Sequence, residues 1–169
     1  MTHTIRRATS ADLGAINDIY NHYVRETAIT FDIDEWSLER RREWFAQFEE
    51  VGRHQLVVAD VGGNVAGFAG THQFRTKAAY DTTAETTIYC APGSGSSGLG
   101  SALYTALFDA IANEDIYTLI AGITLPNDAS VALHRKFGFV EAGTMHAVGR
   151  KFERYWDVLW MEKAAERRG

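Results

Sequence analysis

Glu85-Thr86-Thr87-Ile88-Tyr89-Cys90-Ala91-Pro92-Gly93-Ser94-Gly95-Ser96-Ser97-Gly98-Leu99-Gly100-Ser101-Ala102-Leu103 is the stretch that decides the fold. Its first third alternates as a strand does. Its middle is a loop of glycine and serine with Pro92 at its mouth, and its last third opens a helix whose Leu99, Leu103, Leu107 and Ile111 recur every four residues. A strand, a small-residue loop and a helix start together present backbone N–H groups to an anion. Glu85 sits at the far end of the strand. The stretch therefore predicts an anion-bearing cofactor at the loop and chemistry close to the glutamate.

Upstream, a strand over 5–8 leads to Ser10-Ala11-Asp12 and a helix with Leu13, Ile16, Ile19, Tyr20 and Tyr23 on one face. Ser37 caps a second helix bearing Trp44, Phe45 and Phe48, expected to end near Gly52. Residues 55–60 and 65–74 read as two strands joined by the turn Gly62-Gly63-Asn64. Downstream, residues 117–123 form an apolar run suited to a strand buried on both faces. Pro126-Asn127-Asp128 starts a helix that ends at Gly138, and two last strands finish at Met161. No repeat, linker or low-complexity tract divides the chain, so residues 1–169 are read as one domain. Helices, hairpins and a strand–helix–strand crossover predict a three-layer α/β/α sandwich around a mixed, mostly antiparallel sheet.

At 169 residues, with 46% hydrophobic and 23% charged residues, the composition is that of a globular protein with a real core. The formal charge of −5 argues against a general affinity for nucleic acid or anionic membranes. No apolar run follows the opening Met-Thr-His-Thr-Ile-Arg-Arg, and Cys90 is the single cysteine, so a cytoplasmic location is expected. The histidines show no metal-ligand spacing, and no metal is expected.

The order strand, glycine loop, helix, buried strand, then Asn127-x-x-Ser130-x-x-Leu133-His134-x-x-Phe137-Gly138-Phe139 resembles the GNAT superfamily of N-acetyltransferases. Residues 20–24, Ala79-Tyr80-Asp81, residues 83–89, Leu125-Pro126-Asn127 and Gly149-Arg150-Lys151-Phe152 resemble its phosphinothricin and methionine sulfoximine acetyltransferases. The resemblance spans residues 5–161. It implies acetyl-CoA as co-substrate, the α-amino group of a glutamate-analogue amino acid as acceptor, direct amine attack on the thioester, and a homodimer.

Residue by residue, the resemblance makes Glu85 the base. An ammonium must lose a proton before it attacks a thioester, and partial burial would raise the carboxylate's basicity. The alternative is a solvated glutamate at a strand end. Acetyl-CoA is placed along Ile88, Tyr89 and Cys90, whose backbone N–H groups suit an oxyanion, and its pyrophosphate at Gly95, Ser96, Ser97, Gly98, Leu99, Gly100 and Ser101. The family pattern is Gln/Arg-x-x-Gly-x-Gly/Ala. Gly98 and Gly100 agree with it, but Gly95 replaces the Gln or Arg, a loss of about 1–3 kcal/mol if one charge-assisted hydrogen bond is missing. Asn127 is a coenzyme contact, a helix cap, or both. His134 stands where the superfamily often carries a tyrosine that protonates the departing thiolate; it donates that proton, binds substrate, or simply packs beneath the sheet. Phe31, Arg75, Lys77, Tyr80 and Thr87 match the acceptor pocket, whose dianionic ligand requires cations. Lys151 and Phe152 either close that pocket from a partner subunit or belong to core and dimer surface. Two further readings remain: a related enzyme with another amine acceptor, and a non-catalytic acyl-CoA-binding module.

Overall fold

The computed structural model of the chain describes residues 3–94 and 98–165. The expected phosphate-loop positions Gly95, Ser96 and Ser97 lie outside the described residues. Apolar residues in β2 (Leu56–Val61) face both ways, Leu56 and Val58 to one side and Val57 and Ala59 to the other. A strand buried on both faces demands a layer of helices on each, and that is what the chain builds. On one side lie α1 (Leu13–Glu26) and α2 (Leu38–Phe45). On the other lie α3 (Leu99–Ile111) and α4 (Asp128–Lys136).

The remaining strands are β1 (Thr4–Arg7), β3 (Asn64–Gln73), β4 (Thr83–Cys90), β5 (Thr118–Thr124), β6 (Val140–Lys151) and β7 (Arg154–Ala164). Their spatial order is β1-β2-β3-β4-β5-β7-β6. Only β4 and β5, joined through α3, are parallel; every other neighbouring pair is antiparallel. The expected three-layer sandwich around a mixed sheet is the observed one. Leu99, Leu103, Leu107 and Ile111 of α3 are almost fully buried against the sheet, each contributing about 1.5–3 kcal/mol of apolar burial. The second helix is shorter than its periodicity suggests. After Ala46 the chain turns, which sets Phe48 4.7 Å from the Trp44 ring and keeps it in the same core. The polar connection before β4 holds a 3-10 turn, Ala78–Tyr80. Among the described residues no helix is long and apolar enough to cross a membrane.

The sheet has a fork. β4 and β5 share only three register pairs, Thr83 with Thr118, Ala84 with Leu119 and Glu85 with Ile120. Beyond Glu85, β4 stays with β3 as far as Cys90, while β5 stays with β7 as far as Thr124. Thr86 marks the crotch, its Oγ1 donating to Ile120 O at 3.3 Å. Main-chain groups that would have completed the β4–β5 ladder face an opening instead.

Candidate active site

Two hollows meet at the fork. A cleft of about 450 Å³ runs between the parted strands, walled by 86–90 of β4, 121–124 of β5, the start of α3 and one side of α4. A second cavity, of about 220 Å³, lies on the α1/α2 side. Thr86, Thr87, Tyr89 and Gly122 line both, so the fork is the passage between them.

Strand alternation assigns the side chains. Ala84 and Ile88 pack with the α3 core, whereas Tyr89 packs with the α1/α2 core, so Glu85 and Thr87 also point towards the α1/α2 side. Glu85 stands opposite His72 of β3 and lines the smaller cavity with it. Burial pushes the Glu85 carboxyl up to about 6, and the positive charge of Arg75 pulls against that rise. A carboxylate so placed is ionised at neutral pH and still a competent proton acceptor. The cavity floor is aromatic, formed by Tyr20, Trp36, Trp44 and Phe68. Among these rings lies Arg41, 1% exposed, its guanidinium 4.2–4.7 Å from the centroids of Trp36, Trp44 and Tyr20. Its Nε donates to Asn17 Oδ1, and burial lowers its pKa to about 10.

On the cleft side, His134 is 3% exposed and held at both nitrogens. Nδ1 lies 2.8 Å from Ser130 O, which can only accept, so Nδ1 carries the proton. Nε2 then accepts from the Tyr104 hydroxyl at 2.7 Å. Burial lowers the imidazole pKa, which keeps it neutral at pH 7. Asn127 accepts from Ser130 N at 3.2 Å as the cap of α4 and also lines the cleft. The Cys90 thiol is pushed up by burial, away from thiolate chemistry. Cys90 O takes a hydrogen bond from Tyr23 at 2.7 Å.

Residues 5–160 match the model of the acetyltransferase (GNAT) domain. The chain belongs to the GNAT acetyltransferases. This N-acetyltransferase is 48% identical over 161 residues to the phosphinothricin N-acetyltransferase of Streptomyces coelicolor, with 94% of each chain covered. It is 33% identical over 162 residues to the L-methionine sulfoximine/L-methionine sulfone acetyltransferase of Pseudomonas aeruginosa, covering 96% of this chain and 94% of that protein. A solved GNAT superfamily phosphinothricin acetyltransferase from Sinorhizobium meliloti, in complex with acetyl-CoA, superposes with a TM-score of 0.90 at 32% identity, over 98% of this chain and 90% of that one.

Of the residues expected to hold the coenzyme in this acetyltransferase, Ile88, Tyr89, Cys90, Gly98, Gly100, Ser101 and Asn127 all line the cleft. Leu99 differs: its side chain is 1% exposed in the α3 core, leaving only its backbone for a ligand. The expected acceptor residues are divided. Thr87 lines the smaller cavity, and Arg75 is near enough to act on Glu85. Tyr80 is exposed and meets the Phe74 ring edge-on at 5.8 Å, and Lys77 is exposed at the start of the 3-10 turn. Phe31 leans on Gly149 so closely that a Cβ there would lie 2.2 Å from its ring, which is why β6 carries glycine at that point. Lys151 is spent inside its own chain, 4% exposed and donating to Thr30 O at 2.9 Å.

Tyr104 and Arg41 were not singled out from sequence. A hydroxyl-bearing ring beside the apolar stripe of α3 was the available sign, since a buried tyrosine hydroxyl needs a partner. Arg41 sits in the run Arg40-Arg41-Arg42, where pattern alone does not tell the buried member from its solvated neighbours.

Proposed function

We propose that this N-acetyltransferase uses acetyl-CoA to acetylate the α-amino group of a glutamate-analogue amino acid such as phosphinothricin or methionine sulfoximine. The single observation that carries the reading is Glu85: a half-buried carboxyl, raised to about 6, lining an acceptor-sized cavity where the sheet forks towards the larger cleft. The names of the relatives support the acceptor class.

The cleft fits the co-substrate. α3 begins with Gly98 in the left-handed conformation (φ 76), and the first helical acceptor is reached only by Ala102 N, on Gly98 O at 3.1 Å. Among the described residues the amides of Leu99, Gly100 and Ser101 find no helical acceptor, and they suit a phosphate. The open main-chain edge of β4 suits the amide-rich arm of the coenzyme and its acyl oxygen. Acetyl-CoA supplies the activated acetyl thioester. The chain's residues do the rest. The fork presents the acceptor amine to that group, and the Glu85 carboxylate accepts the ammonium proton directly or through one water. The aromatic floor excludes water from the acceptor cavity. His134, neutral with Nδ1 committed to Ser130 O and Nε2 filled by the Tyr104 hydroxyl, holds Tyr104 in the cleft wall, and the departing thiolate takes its proton from solvent.

The test is purified protein with acetyl-CoA and each amino acid, following free thiol. Acceptor-dependent thiol release supports the reading; its absence with both acceptors removes the substrate assignment. The exposed Val140, Met145, Val148, Phe152 and Tyr155 of the β6–β7 hairpin support the expected pairing with a second copy, checked by sedimentation.

A further inference from the structure

An ammonium that becomes an amide loses two protons, one before its lone pair can attack and one after the N–C bond has formed. Glu85 holds only one of them at a time. A second group faces the same space. His72 of β3 is the register partner of Glu85 on β4, and both line the smaller cavity. Directly paired residues of antiparallel strands point to one face, with Cβ atoms about 4.5–5.5 Å apart. Among the described residues no hydrogen bond or ion pair joins the carboxylate to the ring, so the space between them is not closed. His72 Nδ1 lies 3.4 Å from Gln73 O, which can only accept, so the ring proton is on Nδ1 and the Nε2 lone pair is left for a ligand. Burial, together with the positive charge of His54 ahead of β2, lowers the imidazole pKa and keeps the ring neutral at pH 7. The other ionisable groups lining the cavity are poor proton acceptors. Arg41 has only protons to give, the Tyr20 hydroxyl is committed to Thr30 and Asp32, and burial holds Tyr89 protonated.

Resting on the acceptor reading above, we propose that His72 is a second catalytic base, whose Nε2 takes the proton that the acceptor nitrogen sheds after attack while Glu85 still holds the first. The first N–H bond breaks onto a Glu85 oxygen, and the freed lone pair forms the N–C bond. The second N–H bond breaks onto His72 Nε2 as the C–S bond breaks and its electron pair leaves on sulfur. The thiolate takes one proton from solvent, and Glu85 and His72 return two, so one proton is released per turnover. Once acylated, the nitrogen is far more acidic than the free ammonium, and a neutral imidazole is base enough for it.

The experiment follows thiol release from acetyl-CoA with phosphinothricin in the intact protein and in His72→Gln and His72→Ala, with thermal melts alongside. His72 is half-buried, so both variants should fold. Their kcat should fall by about 10²-fold, with KM for the acceptor within about 3-fold of the parent. In His72→Ala, added imidazole should restore the rate in proportion to its free base, and across substituted imidazoles the rescue should rise with their pKa. A readout independent of turnover is the ring nitrogen resonance of His72 Nε2 in the parent without acetyl-CoA, which saturating phosphinothricin should shift. A parental kcat in His72→Gln overturns the proposal, as does a loss confined to KM. A kcat deficit in His72→Ala that imidazole leaves unchanged also overturns it, since that is the result of lost packing alone, and so does an unmoved Nε2 resonance. A parent that releases no thiol with either phosphinothricin or methionine sulfoximine overturns the acceptor reading itself.

Discussion

Replacing Glu85 by glutamine keeps the shape and hydrogen-bonding reach of the side chain and removes its charge. Two consequences of opposite sign follow. A carboxyl that titrates at about 6 in the fold, against an ordinary 4.5, is easier to protonate folded than unfolded. Its favourable contribution to stability is complete below pH 4.5 and is lost as pH rises through 6, a loss of about 2 kcal/mol. Glutamine has no such loss. The Glu85→Gln protein should therefore melt higher than the parent at pH 8, by roughly 4–8 °C for a chain of this size. The two should converge near pH 4.5. Activity should move the other way. If Glu85 is the base, the substitution lowers kcat by about 10²–10⁴, and the parent's kcat/KM falls tenfold per pH unit below about 6. The assays are thiol release from acetyl-CoA across pH 5–9 and thermal melts in the same buffers. A variant retaining more than about a tenth of the parent rate refutes the base assignment. A melting gap equal at pH 5 and pH 8 refutes the burial of a charged carboxylate.

Other substitutions test the surroundings. Arg75→Gln removes the charge that holds the Glu85 pKa down, so the acid limb of the kcat/KM profile should move to higher pH. Tyr104→Phe leaves the buried His134 Nε2 without its donor and should cost about 1–3 kcal/mol in urea titration. His134, held neutral with its pKa lowered by burial, contributes stability that is present above pH 6.5 and lost on acidification; His134→Gln should flatten that part of the acid-unfolding curve. Gly149→Ala forces Phe31 off the β6 backbone and should cost about 1–3 kcal/mol by denaturant melt, with a rise in KM for the acceptor if Phe31 borders its pocket.

Much of the fold was legible because local physics and tertiary packing agree. Apolar residues at every fourth position made α3 an amphipathic helix. The run in β5 did not meet its expectation of burial on both faces: Leu119, Ala121 and Ile123 sink into the α3 core, whereas Ile120 is half-buried and Gly122 exposed on the side that meets the cavities. The end of α2 was not legible: Phe48 continues the apolar pattern, yet it joins the core from a turn, because burial asks for position rather than for helix. Alternation shows that Glu85 shares a face with Thr87 and Tyr89, but not which face holds the smaller cavity. That follows from which helices cover which side.

By itself, the order of residues determined the layers, the strand–loop–helix succession and the membership of an acetyltransferase family, since each rests on contacts within a few residues or on motifs in series. Three things were decided only by tertiary structure: the fork after Glu85, the burial that sets its pKa near 6, and the Tyr104–His134 bond. Each joins residues about 30 or more positions apart, or depends on how many atoms of other elements exclude water from one group. Spacing along a chain carries neither quantity; register between strands and the packing of two helical layers supply both.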